Sequence, residues 1–202
     1  MSKMTLTEVV RKGLKLKKED RASMLGIGPM SKMLIKASIL LAKEKDFPLI
    51  FIASRNQVDA QELGGGYVCN WDQKGFSEAI KKIADEVGFD GLYYLCRDHG
   101  GPWQRDKERK DHLPEEEAMR LGKISYVYDL ENGFDLLHID PTKDPYVVGK
   151  VIDVNVVLRR TVELIEYVEK ERIARGLPEI SYEVGTEETN GGLTSVESYE
   201  FF

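Results

Sequence analysis

The 202-residue sequence contains only two cysteines, Cys69 and Cys96, which excludes the disulfide framework of a small secreted domain. No apolar run approaches the ~18 residues of a membrane-spanning helix, and the N-terminal segment lacks the apolar core of a signal peptide. No GxGxxG or GxxxxGK(S/T) motif follows a predicted strand, so the phosphate cradle of a nucleotide-binding fold is missing. These absences predict a cytoplasmic protein with no membrane partner.

The net charge of −6 argues against a nucleic-acid partner, because general nucleic-acid binders are basic. The charge is uneven. Residues 1–45 carry 11 Lys and Arg against 4 Asp and Glu, whereas residues 179–202 hold six acidic side chains and no Lys or Arg. The basic segment could attract an anion, but a solvated helix over residues 1–21 is the simpler interpretation.

Short apolar runs alternate along the chain with segments of helical period, as in a parallel α/β fold. The spacing predicts strands at Ala22–Ile27, Pro48–Ala53, Gly91–Cys96, Phe134–Ile139 and Ile180–Val184. It predicts helices at about Ser31–Lys45, Phe76–Val87, Pro114–Leu130 and Val154–Arg175. A doubly wound sheet and a (β/α)8 barrel both fit this order.

Most reactive side chains come directly after a predicted strand, at the edge where parallel α/β proteins hold their ligands. Asp98-His99 is the sharpest pair, because an imidazole can bind a divalent metal while a neighbouring carboxylate moves a proton. A turn that caps the next segment would use the same residues. His138 and Asp140 lie two apart and share a face if their strand continues; both could bind metal or a sugar hydroxyl, although a core role suits His138 better.

Other polar residues have weaker signals. Glu183 and Glu187 share a face of the last strand if it continues past Val184. Asn56 and Gln57 suit polyol recognition, and equally suit an ordinary turn. We interpret the remaining candidates as packing (Trp103), a flexible turn (Gly64–Gly66), a solvated mixed-charge loop (Arg105, Lys107, Arg109, Lys110) and ordinary thiols (Cys69, Cys96).

Several of these segments together resemble one family, the GatZ/KbaZ accessory subunits of class II tagatose-bisphosphate aldolases. The resemblance covers the chain from about Gly26 to its end. It rests on Asn56-Gln57-Val58, the Gly64–Tyr67 turn, Asp98-His99-x-Gly-Pro, His138-Ile139-Asp140, Ser181-Tyr182-x-x-Gly185-Thr186-Glu187 and Gly191-Gly192.

The resemblance implies a (β/α)8 TIM barrel related to zinc-dependent class II aldolases. It implies that Asp98 is a catalytic acid/base and His99 a metal ligand, that Asp140 and Glu187 are further metal-facing or polar groups, and that Asn56 and Gln57 contact substrate. In the resulting assignment Glu187 is also catalytic, and Asp140 and Glu183 also bind substrate. The cofactor would be a divalent metal, zinc, which polarises the oxygens of a ketose or ketose phosphate.

The family is described as supporting a catalytic aldolase subunit, and some similar proteins are 4-epimerases of ketohexoses, their phosphates or ketohexuronates. A non-enzymatic partner subunit or fragment that self-associates is a third interpretation.

The sequence departs from the family pattern in two respects. Arg97 occupies a position where the family more typically has Gly, so it is expected to crowd or recharge the site. The chain also has about five β/α units, so residues 1–202 are expected to form a single, incomplete barrel, with no segment for the phosphate site that often follows strands seven and eight.

Overall fold

The computed structural model describes residues 3–21, 23–148, 151–185 and 196–201. Strands and helices alternate along most of this length. The strands are β1 (Leu25–Ile27), β2 (Leu49–Ser54), β3 (Tyr93–Gly100), β4 (Leu136–Ile139) and β5 (Ser181–Val184). The helices are α1 (Leu6–Leu14), α2 (Lys32–Lys45), α3 (Gln73–Val87), α4 (Asp106–Lys110), α5 (Glu115–Glu131), α6 (Val154–Ala174) and α7 (Val196–Phe201).

The five strands form one sheet in the order β1-β2-β3-β4-β5, and every neighbouring pair is parallel. A doubly wound sheet reverses its strand order part-way, whereas a barrel adds each strand beside the last. The predicted α/β fold with five parallel strands is therefore confirmed, and its winding is of the TIM-barrel type.

The larger core lies on the face of the sheet that α2, α3, α5 and α6 cover. Alternate strand residues such as Phe51, Leu95 and Leu137 point to this face and are fully or almost fully buried. The helices contribute side chains at helical spacing, among them Ile35, Ile39, Phe76, Ile80, Tyr126, Leu164 and Val168. One set of helices on one face is again the arrangement of a barrel, whose other face is its interior.

The opposite, inner face of the sheet is covered near its N-terminal end by α1. Leu6 of this helix is buried against Tyr94 and Cys96, and Val9 packs on the same cluster. A capping box between Thr5 and Glu8 starts α1. The helix spans less than the predicted segment 1–21, because the Arg21 guanidinium donates to the carbonyls of Leu14 and Leu16 and turns the chain back at its C-terminal end. Helix α1 does not cover the C-terminal end of the inner face, where the candidate site described below lies.

Candidate functional site

Three potential metal ligands meet where β3 and β4 end. Asp98, His99 and His138 each place one ligand atom within 4.8 Å of the others. The strand alternation explains part of this arrangement, because Asp98 follows Cys96 and His138 follows Leu136 on the inner face. The register pairs Cys96 with Leu136, so the two later residues are brought side by side.

His99 joins the cluster through an irregularity in β3. The register between β3 and β4 shifts between Arg97 and Gly100, and His99 has a φ of 45°. Regular alternation would send His99 to the opposite face from Asp98, toward the helices. The bulge turns its ring back to the inner side, where it lies 4.7 Å from the His138 ring. A left-handed backbone at a non-glycine residue costs free energy, so this conformation is typical of functional sites.

The buried carboxylate of Asp140 hydrogen-bonds to the His99 ring. Its Oδ2 atom lies 2.6 Å from Nδ1 of His99, and its Oδ1 atom accepts hydrogen bonds from the backbone N–H and the hydroxyl of Thr142. Burial by itself raises the pKa of Asp140, but the bonds from His99 and Thr142 together outweigh burial and lower it. The carboxylate is 1% exposed, so it supports the ring from within the protein.

His138 is buried and its Nε2 atom has no hydrogen-bond partner among the described residues. Its Nδ1 atom accepts a hydrogen bond from the backbone N–H of His99 at 3.3 Å. A side chain in place of Gly185 would set its Cβ 2.4 Å from Nε2, so glycine keeps the space beside this nitrogen open. A buried, unpaired nitrogen is costly unless a ligand satisfies it.

These residues fit a divalent metal of the zinc class. The imidazoles of His99 and His138 are donors that zinc accepts, and Asp140 supplies the carboxylate that commonly orients a metal-bound histidine. The Asp98 carboxylate lies beside both rings. The orphaned Nε2 of His138 supports the fit. A metal at this atom requires the ring proton on Nδ1, so the long 3.3 Å contact from the His99 N–H would be given up on binding. The sequence analysis favoured a core role for His138. In the structure this residue is buried and also belongs to the cluster, and the sequence analysis missed the second property.

The other predicted residues are not members of this cluster. Asn56 bonds to the backbone and side chain of Asp106, and so fastens the end of β2 to α4. Gln57 accepts from the backbone N–H of Ser54, which is turn chemistry. Glu183 is exposed on β5 in register with His138. Glu187 lies outside the described residues.

Arg97 does not enter the site, so the expected crowding is wrong. Alternation sends its side chain to the face opposite Asp98, where it is fully buried beneath α5. The guanidinium donates to both Asp129 oxygens at 2.6 and 2.9 Å and to the carbonyls of Ala53 and Val58. Each of the three guanidinium nitrogens therefore has a hydrogen-bond partner inside the core.

A second buried arginine, Arg55, braces the loop that follows β3. It contacts Asp59 at 3.1 Å and Glu108 at 2.8 Å, and it donates to the carbonyl of Gly101. Sequence reasoning missed this network, because Gly101 and Glu108 lie 46 and 53 residues from Arg55 along the chain. The segment predicted to be a solvated loop is partly the helix α4, and its Glu108 is buried.

Two of the simpler readings agree with the structure. Trp103 is buried and donates its indole N–H to the carbonyl of Leu113, while the Arg160 guanidinium lies 4.9 Å from its ring. Cys96 is buried, and burial raises the pKa of its thiol. Both residues belong to packing.

Comparison with known proteins identifies the family. A model of the D-tagatose-1,6-bisphosphate aldolase subunit family, GatZ/KbaZ-like, matches residues 8–199. The chain belongs to this family. No curated protein matches the chain.

The solved structures of similar fold include the crystal structure of a probable tagatose 6 phosphate kinase from Sinorhizobium meliloti 1021. It has a TM-score of 0.72 at 24% sequence identity and covers 89% of this chain. The chain in turn spans 42% of that structure's length. Within the described residues, no helix has the length and apolar character needed to cross a membrane.

Proposed function

We propose that this chain acts in carbohydrate metabolism as an accessory subunit of tagatose-bisphosphate aldolase, supporting aldol cleavage of a ketohexose bisphosphate into two trioses. The observation that carries the proposal is the family match over residues 8–199, whose family is an aldolase subunit. The partner would be a catalytic aldolase subunit, and the small ligand a ketose or its phosphate.

An apolar surface on α2 supports a protein partner. Met33, Leu34, Leu40 and Leu41 are exposed although they lie on a helix that is otherwise packed against the sheet. Met33, Ala37 and Leu40 recur at spacings of four and three, so they line one side of the helix. Contiguous exposed apolar side chains on a folded domain commonly mark an interaction surface.

The test mixes the chain with a purified catalytic subunit of a class II tagatose-bisphosphate aldolase. We expect a complex in size-exclusion chromatography and a severalfold longer half-life of D-tagatose 1,6-bisphosphate cleavage, because binding stabilises the folded partner. The double variant Met33→Glu/Leu40→Glu should lose both effects. Val162→Glu replaces an exposed apolar side chain on α6, away from α2, and serves as the control.

Absence of both a complex and a longer half-life would contradict the accessory proposal. If the chain instead elutes as a dimer that the Met33→Glu/Leu40→Glu change dissociates, the same surface serves self-association. That result would favour a non-enzymatic, self-associating role over an aldolase partnership.

The metal-ligand cluster favours a second candidate function, a metal-dependent 4-epimerase of a ketose, ketose phosphate or ketohexuronate. His99 and His138 would hold zinc, which when bound would polarise the ketose oxygens. We assign proton transfer to Asp98, whose Oδ1 atom lies 3.7 Å from Nε2 of His99 and whose side chain is open to a ligand. Glu187 stays a proposed catalytic or metal-facing residue and Glu183 a proposed substrate contact, whereas the buried Asp140 would position His99.

Turnover separates the two functions. The chain alone, loaded with zinc, should convert D-tagatose into its C4 epimer without forming trioses if it is an epimerase. Asp98→Asn should then abolish turnover while zinc remains bound, because an amide cannot take up the proton. Turnover that survives this substitution would exclude Asp98 as the acid/base.

A further inference from the structure

A cleft beside the metal-ligand cluster has no assigned role. Its volume is about 480 Å³, within the range of small-molecule sites. Its walls are polar, and consist of Ser54, Asn56, the loop 64–67, Arg105 and Asp106.

The cleft adjoins the cluster through the sheet. Ser54 is the last residue of β2, and its register partner on β3 is Asp98. Ile52 on β2 and Cys96 on β3 point to the inner face, so alternation sends Ser54 and Asp98 to that face as well. Neighbouring strands lie about 4.8 Å apart, which is less than the length of a hexose chain. A sugar that reacts at Asp98 is therefore long enough to reach Ser54 at the edge of the cleft.

The loop 64–67 is built to hold Tyr67 at the mouth of this cleft. The backbone N–H of Tyr67 donates to the carbonyl of Asn56, and that of Val68 donates to the carbonyl of Gln57. A Cβ on Gly66 would lie 2.0 Å from the Gln57 carbonyl oxygen, so only glycine allows this approach. Tyr67 is 65% exposed, and its hydroxyl makes no hydrogen bond to any described residue.

Arg105 forms the inner wall. Its side chain is 13% exposed, and its Nη1 atom donates to the carbonyl of Arg55 and to Asp59. Its Nη2 atom faces the loop, since a Cβ on Gly64 would lie 3.0 Å from it. Within the described part of the chain, Nη2 makes no hydrogen bond, so its N–H groups are available to a ligand in the cleft.

The charges of the cleft balance. Asp59 neutralises Arg105, and Arg109 neutralises Asp106. A dianionic phosphate would meet one guanidinium edge and a nearby carboxylate, whereas sugar hydroxyls both donate and accept. The mixture of hydroxyl, amide, guanidinium and carboxylate groups therefore matches an uncharged polyol better than an anion.

We propose that this cleft binds the hydroxyl-bearing carbon chain of a ketose, with Arg105 and Tyr67 as hydrogen-bonding residues and Asp98 beside the reacting carbons. The proposal rests on the carbohydrate role proposed above. It identifies a substrate-binding subsite between β2 and β3, which selects the sugar by its hydroxyl groups.

The test measures binding of D-tagatose to the zinc-loaded chain by isothermal titration calorimetry. Tyr67→Phe removes only the hydroxyl, and we expect the Kd to rise about three- to tenfold, the range for one hydrogen bond. Arg105→Lys keeps the charge but loses the planar fork, and should weaken binding similarly. Tyr167→Phe on α6 is the matched control and should leave the Kd unchanged. Zinc affinity should be the same in all four proteins.

Several results would overturn the cleft proposal. These are no detectable D-tagatose binding, an unchanged Kd in Tyr67→Phe, or inorganic phosphate that binds at Arg105 and displaces the sugar, which would make the cleft an anion site. Stimulation of the aldolase partner is a separate measurement. If Tyr67→Phe leaves the Kd for D-tagatose unchanged while the aldolase partner is still stimulated, only the cleft proposal is wrong. If the Kd depends on Tyr67 but the aldolase partner is not stimulated, only the accessory role is wrong.

Discussion

The Nδ1 atom of His99 lies 2.6 Å from the Oδ2 atom of Asp140. In a neutral imidazole this contact places the proton on Nδ1 and the lone pair on Nε2, the nitrogen that faces Asp98. Asp140 is almost fully buried and is also bonded to Thr142, so it cannot easily turn away from the ring. The carboxylate therefore fixes both the orientation and the tautomer of a metal-binding histidine.

This relationship predicts that Asp140 positions a ligand instead of binding the metal itself. Asp140→Asn keeps the shape but weakens the acceptor, so zinc affinity should fall about 10- to 100-fold, as for other partners of ligating histidines. Competition with a chromophoric chelator measures the Kd, and the stoichiometry should stay unchanged. Asp90→Asn is the control, because Asp90 is exposed and precedes the start of β3, whereas His99 lies near the other end of that strand. An equal Kd for Asp140→Asn and wild type would refute the positioning role.

His138 should be a direct ligand. His138→Asn removes the buried Nε2 atom, and we expect zinc affinity to fall by at least about 100-fold, the upper end of the effect of an outer-shell partner. His112→Asn removes an exposed histidine outside the cluster and should bind zinc normally. Elemental analysis after gel filtration gives the metal content of both variants. A full zinc content in His138→Asn would show that this nitrogen serves the core alone.

Local sequence patterns were enough to predict the strands and the long helices, because burial on one face imposes a period that the sequence displays. They could not choose between a doubly wound sheet and a barrel, since strand order depends on which faces the helices cover. The single set of helices packed on Phe51, Leu95 and Leu137 decides it.

The site was predictable only in part. Asp98 and His99 could be found because both come directly after the apolar run Gly91–Cys96, although β3 continues through them to Gly100. The role of His138 depends on the bulge at His99, which is a property of two paired strands and leaves no mark in either alone. Arg97 shows the reverse case: strict alternation from Asp98 already places it on the opposite face, so strand geometry argued against the expectation drawn from the family pattern.

The buried pair of Arg97 and Asp129 predicts a specific stability pattern. Asp129→Asn leaves an uncompensated guanidinium in the core, and should lower the free energy of unfolding by about 3–5 kcal/mol. The double variant Arg97→Met/Asp129→Leu removes both charges and should recover most of the loss. Urea denaturation of the three proteins measures these differences. A double variant no more stable than Asp129→Asn would mean that the pair contributes beyond mutual neutralisation.

Asp59 predicts how stability depends on pH. Burial raises its pKa, but the charges of Arg55, Arg97 and Arg105 and a hydrogen bond from Ser125 outweigh burial, so its pKa is lowered on folding. Ionised Asp59 therefore stabilises the fold above the pKa of the unfolded chain, about 4, and this contribution is lost as pH falls through the lower folded value. Wild type should exceed Asp59→Asn in free energy of unfolding by about 3 kcal/mol or more at pH 7.

The difference in free energy of unfolding between the two proteins should narrow below about pH 4, because protonated Asp59 and asparagine are both neutral and offer the three arginines no charge. Urea denaturation across a pH series measures the gap. Asp90→Asn, which removes an exposed carboxylate, should follow the wild-type curve throughout. A gap that stays constant down to acid pH would mean that Asp59 acts through packing and hydrogen bonding, and that its charge contributes nothing to holding the arginines beneath the site.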